Sequence, residues 1–190
     1  MKNKLAKGIS LVTVAPVMAL FTVLLSFAYR PEYFSGFGWL IYTIVFLTLL
    51  PLSAYPLHIL IPASKKQGRK GERKMAFILA IISYVLGTII TFVLDAPLIV
   101  KKIFMAYLLS GLFLTFVNRV LKFKASGHAC GVAGPITLIS SIIGIKFIWL
   151  FLLMPIVFWS RINLGRHSIQ ELITGTFVGI ISTLVAVNIV

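Results

Sequence analysis

Two short segments in the second half of the chain carry most of the side chains that could do chemistry. Three histidines and four acidic residues occur in the whole chain. His128 follows Ser126 and Gly127, and His167 lies four positions before Glu171. Because residues four apart share a helix face, the Glu171 carboxylate can accept a hydrogen bond from one ring nitrogen of His167. The other ring nitrogen is then free to act as a nucleophile.

The neighbours of both segments suit an anionic substrate. The start of the helix expected after His167 favours an anion such as phosphate. Lys122 and Lys124 offer positive charges, Ser126 offers a hydroxyl donor, and Gly127 permits close approach to the backbone. His128 can supply a proton to a leaving oxygen. These residue types together indicate chemistry on a phosphate.

At these residues the chain resembles the type-2 phosphatidic acid phosphatase superfamily, membrane enzymes that hydrolyse lipid phosphates and diphosphates. The second motif of that family is Ser-Gly-His, which residues 126–128 match. The third is Ser-Arg, five residues, His, three residues, Asp. Ser160, Arg161 and His167 match it at the correct spacing, with Glu171 where aspartate is usual.

The resemblance implies a phosphohistidine mechanism without a metal or other cofactor. In it His167 is the nucleophile, His128 the general acid, and Glu171 the carboxylate that supports the nucleophile. The implied phosphate clamp consists of Arg161, Ser126 and Gly127. The resemblance covers the catalytic half, at about residues 115–190, and the first hundred residues match the family only in being helical.

The first motif of that family is a lysine, six further residues and then Arg-Pro, and this chain lacks it. The one Arg-Pro pair before Ser126 is Arg30-Pro31, which is expected on the opposite side of the membrane. Arg119, Lys122 and Lys124 are the candidates to replace it as substrate-binding cations. We favour Lys124, because it lies closest in sequence to Ser126.

Four other features receive no chemical role. Residues 65–74 (KKQGRKGERK) are interpreted as a solvated loop that sets topology. Arg166 is interpreted as an interfacial anchor, His58 as a structural residue near a helix end, and Cys130 as a packing residue.

The composition is that of an integral membrane protein. The chain is 59% hydrophobic with a mean hydropathy of +1.05, and 12% of its residues are charged. Its apolar stretches are long enough to cross a hydrocarbon core of about 30 Å, and a lipid-exposed backbone must be helical. We therefore predict an all-α polytopic bundle of six to seven transmembrane helices in a single domain, residues 1–190. The expected apolar segments are 8–28, 36–61, 75–94, 101–121, 127–144, 146–160 and 168–189.

The fifth and sixth segments should form a tight hairpin at Gly144. If all seven cross the membrane, the basic residues divide unequally between its two sides. One side has Lys2, Lys4, Lys7, Lys65, Lys66, Arg69, Lys70, Arg73, Lys74, Arg119, Lys122, Lys124, Arg161 and Arg166, fourteen in all. The other has Arg30, Lys101, Lys102 and Lys146, four in all. By the positive-inside rule, the first side and the site face the cytoplasm, and Val190 lies outside.

These observations leave more than one function open. The first is a phosphatase of the cell membrane that hydrolyses a lipid phosphate such as phosphatidate or a polyprenyl phosphate. The same groups would serve a lipid phosphotransferase if an alcohol replaced water. A small anion transporter is the alternative without catalysis. The expected partners are membrane lipids and a lipid phosphate substrate, and the net charge of +14 is assigned to topology and not to nucleic acid.

Overall fold

The computed structural model describes residues 2–190, and these residues form a helical bundle without strands. The helices, in chain order, are α1 (Lys2–Val12), α2 (Ala15–Tyr29), α3 (Phe37–Leu60), α4 (Gly68–Val93), α5 (Leu98–Arg119), α6 (Gly127–Ile142), α7 (Ile145–Asn163) and α8 (Ile169–Ile189). Two short helical turns, Pro31–Phe34 and Pro62–Lys65, lie on either side of α3. The predicted all-α class is confirmed.

Two of the helices are not regular along their whole length. In α3 the α-helical turns Phe37–Ile44 give way to a π-helical segment, Val45–Leu49, followed by Leu50–Leu52 and Ala54–Leu60. The π segment lies just before Pro51, whose ring disrupts the helical hydrogen-bond ladder. In α7 a 3₁₀ segment, Ile145–Leu153, precedes the α-helical part Met154–Asn163.

The lengths of the helices support a polytopic membrane protein. Within residues 2–190, five helices are long and apolar enough to cross a membrane, and six if α1 and α2 together form one crossing. The remaining apolar helix, α6, has 16 residues and spans roughly 24 Å, which is shorter than a typical hydrocarbon core. Each of the seven predicted apolar segments corresponds to a helix or helix pair of the structure.

The first segment differs from the prediction of one continuous helix over 8–28. It is two helices that meet at Thr13-Val14 with a bend of 57°. Pro16 explains the break, because its ring clashes with the carbonyl group four residues earlier and it has no N–H to donate. As a result α1 turns away from the axis of α2 and packs against the carboxyl-terminal half of α7.

The centre of the bundle is α6. From Ala129 to Ser140 every residue except Gly131 is buried. On one side α7 folds back onto α6 after Gly144, whose φ of 142° is a backbone conformation that glycine allows, and this is the predicted hairpin. On the other side α8 and α5 pack against α6.

Two glycines bring α8 unusually close to α6. A Cβ atom at Gly175 would overlap the carbonyl oxygen of Ser126, and one at Gly179 would lie 2.6 Å from the carbonyl oxygen of Cys130. The absence of a side chain at these two positions lets the backbones of the two helices approach closely. Gly131 serves another contact, because its face meets Ala15 of α2.

Candidate active site

The first turn of α8 holds His167 and Glu171 together. His167 Nδ1 lies 2.7 Å from Glu171 Oε2, as the four-residue spacing predicts. The same carboxylate oxygen accepts the Ser168 backbone N–H at 3.2 Å, and the Ser168 hydroxyl accepts the Glu171 N–H at 3.3 Å. This reciprocal capping box starts the helix and fixes the carboxylate that orients the histidine.

The environment of His167 keeps its imidazole neutral near neutral pH. Burial lowers the pKa of His167 from its ordinary 6.5, and the hydrogen bond to Glu171 opposes that shift. The positive charges of Arg161 and Lys124 lower this pKa further. Because Nδ1 donates to Glu171, Nε2 retains its lone pair, which is the state that a nucleophile requires.

The segment 126–128 is attached directly to this turn. The Ser126 backbone N–H donates to the Glu171 carbonyl oxygen at 2.8 Å. The Ser126 side chain is fully buried, and its hydroxyl caps α6 by accepting the Ala129 N–H at 3.4 Å. Ser126 therefore holds the segment in place instead of lining the open space beside His167.

Two more predicted residues, His128 and Arg161, both contact Ser10 of the amino-terminal helix α1. Arg161 Nη1 donates to the Ser10 hydroxyl at 2.6 Å. His128 Nε2 lies 3.3 Å from the same hydroxyl and 3.2 Å from the Ser10 carbonyl oxygen. Arg161 is 6% exposed, and its Nε has no hydrogen-bond partner within residues 2–190.

A cavity of about 1030 Å³ connects these groups. Of the predicted site residues, those that line it are Arg119, Lys124, Gly127, His128, Arg161 and His167. Glu171 and Ser126 lie behind this lining and support it through the contacts above. Lys122 does not line the cavity; it is exposed, with a φ of 53° in the connection before α6.

Lys124, predicted to replace the first basic motif, has a partner that the sequence did not predict. Its Nζ lies 3.3 Å from Glu171 Oε2 and donates to the Arg166 carbonyl oxygen at 3.0 Å. The charge of Lys124 is thus paired with the carboxylate that holds His167. In this arrangement Lys124 stabilises the contact between Glu171 and His167, and its charge is not free for a phosphate.

The structure supplies other cations that sequence reasoning missed. Residues 68–74, interpreted above as part of a solvated loop, are instead the first two turns of α4. The basic side chains there that line the cavity are Arg69, Lys70, Arg73 and Lys74. Arg166, interpreted as an interfacial anchor, also lines the cavity, and its buried Nε has no hydrogen-bond partner within residues 2–190.

A spacing in the sequence could have identified Arg73. Lys66 and Arg73 are separated by six residues, as are the lysine and arginine of the family's first motif, and Lys74 occupies the position of its proline. Because lysine and not proline follows Arg73, the match is not to the intact motif. Of the two, Arg73 lines the cavity, and Lys66 is not among its lining residues.

The inner part of the cavity is apolar and lies between helices of the bundle. Its lining there includes Phe77, Ala80, Ile81, Leu114 and Leu138. The site thus combines a strongly basic region, a neutral histidine held by a carboxylate, and an apolar recess. Such a combination can hold the phosphate of an amphiphile next to a nitrogen nucleophile.

Comparison with family models, with curated proteins and with solved structures gives no match for this chain. The chemistry of the cavity is therefore argued from its residues.

Proposed function

We propose that this integral membrane protein is a lipid phosphatase that forms a phosphohistidine at His167. The observation that carries the proposal is the 2.7 Å contact between His167 and Glu171 beside a basic cavity. If His167 and Glu171 had only a structural role, that role would explain their contact. It would not account for Arg161 and Arg166, whose buried Nε donors have no hydrogen-bond partner within residues 2–190.

In the first half-reaction, the phosphate of the substrate occupies the basic region of the cavity. Arg161 and Arg73 balance its charge. The Nε2 lone pair of His167 attacks the phosphorus in line, so that an N–P bond forms and the bond from phosphorus to the lipid oxygen breaks. His128 protonates that leaving oxygen, and Glu171 stabilises the positive charge that develops on the His167 ring.

In the second half-reaction, water takes the position of the departed lipid alcohol. His128, now unprotonated, accepts a proton from this water as its oxygen attacks phosphorus. The N–P bond breaks, and the electron pair returns to His167 as inorganic phosphate forms. An alcohol in place of water would yield a phosphotransferase, and product analysis separates the two outcomes.

The substrate class follows from the two parts of the cavity. The basic region suits a phosphate or diphosphate, and the apolar recess between α4, α5 and α6 suits a hydrocarbon chain. Phosphatidate and polyprenyl diphosphates have both features. We place the protein in the cell membrane with this region facing the cytoplasm, as the distribution of basic residues predicts.

The test is phosphate release by the detergent-purified protein in the presence of a metal chelator. Suitable substrates are phosphatidate, a polyprenyl diphosphate and phosphatidylglycerophosphate. We expect His167→Ala to reduce release to background, because it removes the nitrogen that attacks phosphorus in this mechanism. The matched control is His58→Ala, since His58 contacts Ser64 at 2.8 Å and does not line the cavity.

His128→Ala provides a second measurement on the same assay. We expect it to slow release from a lipid phosphate roughly a hundredfold or more, since the alkoxide then leaves unprotonated. The loss should be smaller on p-nitrophenyl phosphate, whose leaving group needs no proton. If the His167→Ala variant released phosphate as fast as the wild-type protein, the mechanism would be disproved. If the wild-type protein cleaved no lipid phosphate, the anion transporter would be favoured.

A further inference from the structure

The amino-terminal helix α1 is attached to the residues of the site. The Ser160 hydroxyl, fully buried, donates to the Ala6 carbonyl oxygen at 2.8 Å. One turn further along α1, Ser10 meets both Arg161 and His128. The 57° bend between α1 and α2 makes this possible, because α1 would otherwise continue along the axis of α2 and away from α7.

Ser10 contacts the site with its side chain and its backbone. Its hydroxyl accepts the hydrogen bond from Arg161 Nη1 at 2.6 Å. Its carbonyl oxygen lies 3.2 Å from His128 Nε2, which can donate to it. One residue of α1 thus fixes two groups that come from α6 and α7.

The contact with Arg161 is unusual for a buried arginine. A buried guanidinium is ordinarily paired with a carboxylate, because its charge is costly to remove from water. Within residues 2–190 Arg161 has no carboxylate within ion-pair distance, and the one side-chain partner of its guanidinium is the neutral hydroxyl of Ser10. Ser10 orients the guanidinium without neutralising it, so that the charge remains for an incoming anion.

We propose that Ser10 is a positioning residue that holds Arg161, and through its carbonyl group His128, in the arrangement that receives the substrate phosphate. This inference rests on the proposed phosphatase function. It assigns α1 a direct part in the site, whereas the sequence indicated no such part. Ser10 lines the same cavity as Arg161, His128 and His167.

The test compares Ser10→Ala with Ser10→Thr in the full-length protein. Ser10→Ala removes the acceptor for Arg161 and leaves the backbone carbonyl, and alanine favours the helix. Ser10→Thr keeps a hydroxyl at the same carbon. The matched control is Thr13→Ala, because the Thr13 hydroxyl donates within the same segment, to the Ile9 carbonyl oxygen, and Thr13 does not line the cavity.

Two measurements are made on each variant. Calorimetry gives the affinity for inorganic phosphate, and steady-state kinetics give KM and kcat on phosphatidate. We expect Ser10→Ala to weaken phosphate binding and raise KM by roughly tenfold, as loss of a hydrogen bond to a charged group does. Ser10→Thr and Thr13→Ala should remain within about twofold of the wild type, on the same basis.

A double-mutant cycle with Arg161→Lys shows whether Ser10 acts through Arg161. If it does, adding Ser10→Ala to Arg161→Lys should weaken phosphate binding less than Ser10→Ala does alone. Equal effects in both backgrounds would overturn the proposal. So would unchanged phosphate affinity and KM in Ser10→Ala, even if that variant unfolds at a lower temperature.

The outcomes also separate this inference from the proposed function. A wild-type protein that binds inorganic phosphate but hydrolyses no lipid phosphate disproves the phosphatase, and the role of Ser10 is then judged on phosphate affinity. A wild-type protein that neither binds phosphate nor releases it overturns both.

Discussion

One oxygen atom of Glu171 serves three neighbours. Oε2 accepts from His167 Nδ1 at 2.7 Å, from the Ser168 N–H at 3.2 Å and from Lys124 Nζ at 3.3 Å. An aspartate at this position would be shorter by one methylene. The longer side chain of glutamate reaches back over the helix start to form the capping box while it holds the histidine. Glu171 thus joins helix capping and histidine orientation in one side chain.

Replacing Glu171 by Gln tests this role through the pH dependence of the reaction. Because the pKa of His167 is already below 6.5, activity should decline only as the pH falls through that lowered value. The Glu171 carboxylate raises this pKa, so Glu171→Gln should move the acid limb of kcat/KM to lower pH. It should also reduce kcat on the order of a thousandfold, since the charge on the ring is no longer stabilised. An acid limb that stays in place or moves to higher pH would contradict this pairing.

Arg73 allows a direct test of the phosphate-binding region. We expect Arg73→Ala to raise KM for phosphatidate about tenfold or more, because it removes one charge from the cavity wall. Lys65→Ala is the matched control, since Lys65 is basic and exposed and belongs to the same region of sequence but does not line the cavity. Equal KM values for the two variants would remove Arg73 from the site.

Local spacing explains which site residues could be predicted. His167 and Glu171 are four residues apart, on either side of Ser168, which caps α8, so the sequence spacing alone predicted their contact. Arg73 and Ser10 come from α4 and α1, far from both motifs in sequence. Their approach to Arg161 depends on how distant helices pack, which no local pattern records. The ion pair of Lys124 could not be predicted for the same reason, because its partner Glu171 lies 47 residues away.

At the scale of helices, hydropathy predicted where the long apolar helices lie but not how they bend. The apolar character of residues 8–28 is continuous, so it gave one helix where the structure has α1 and α2. Pro16 was the available signal for the break. For residues 68–74, charge suggested a loop, yet the helix α4 begins at Gly68 and extends beyond its apolar part.

The contact between α6 and α8 gives a prediction at this scale. Gly175→Ala places a methyl group against the Ser126 carbonyl oxygen, so the helices must separate. We expect a loss of stability of about 1–3 kcal/mol. Activity should fall as well, because the same contact holds segment 126–128 beside His167 and Glu171.

The control for this substitution is Gly38→Ala, where an added Cβ meets nothing within 4 Å. Thermal unfolding in detergent and phosphate release measure the two effects. An unchanged unfolding temperature in Gly175→Ala would show that the two helices have room to adjust.

At the scale of the whole molecule, the cavity gives many of the basic residues a second role besides setting the membrane topology. Eight of the fourteen assigned to the cytoplasmic side line it: Arg69, Lys70, Arg73, Lys74, Arg119, Lys124, Arg161 and Arg166. Without them the remaining residues are Lys2, Lys4, Lys7, Lys65, Lys66 and Lys122, six against four. The sign of the asymmetry persists, but most of its size comes from side chains that surround the site.

Cysteine labelling tests the orientation directly. The natural Cys130 is buried, so an introduced cysteine can be labelled selectively. In intact cells we expect Lys65→Cys to be protected from an impermeant maleimide and Asp95→Cys to react. Asp95 is well exposed, and its ion pair with Lys101 at the surface contributes little stability. The reverse pattern would place the site on the outer face.

A third position, Val190→Cys, tests whether α6 and α7 form a hairpin whose two ends lie on one side of the membrane. Ser126, at the start of α6, contacts Glu171, which follows α7, so Val190 should lie on the side of Asp95. We expect labelling together with Asp95→Cys. Protection of Val190→Cys would contradict this hairpin.

The backbone bond between the Ser126 N–H and the Glu171 carbonyl oxygen has a consequence for biosynthesis. Ser126 and His128 leave the ribosome before His167 and Glu171 do. Until α8 is inserted, the first segment of the site lacks its support and the second is not in place. The proposed activity therefore begins only when the last helix docks, and lipid phosphates around the nascent chain remain intact during its insertion.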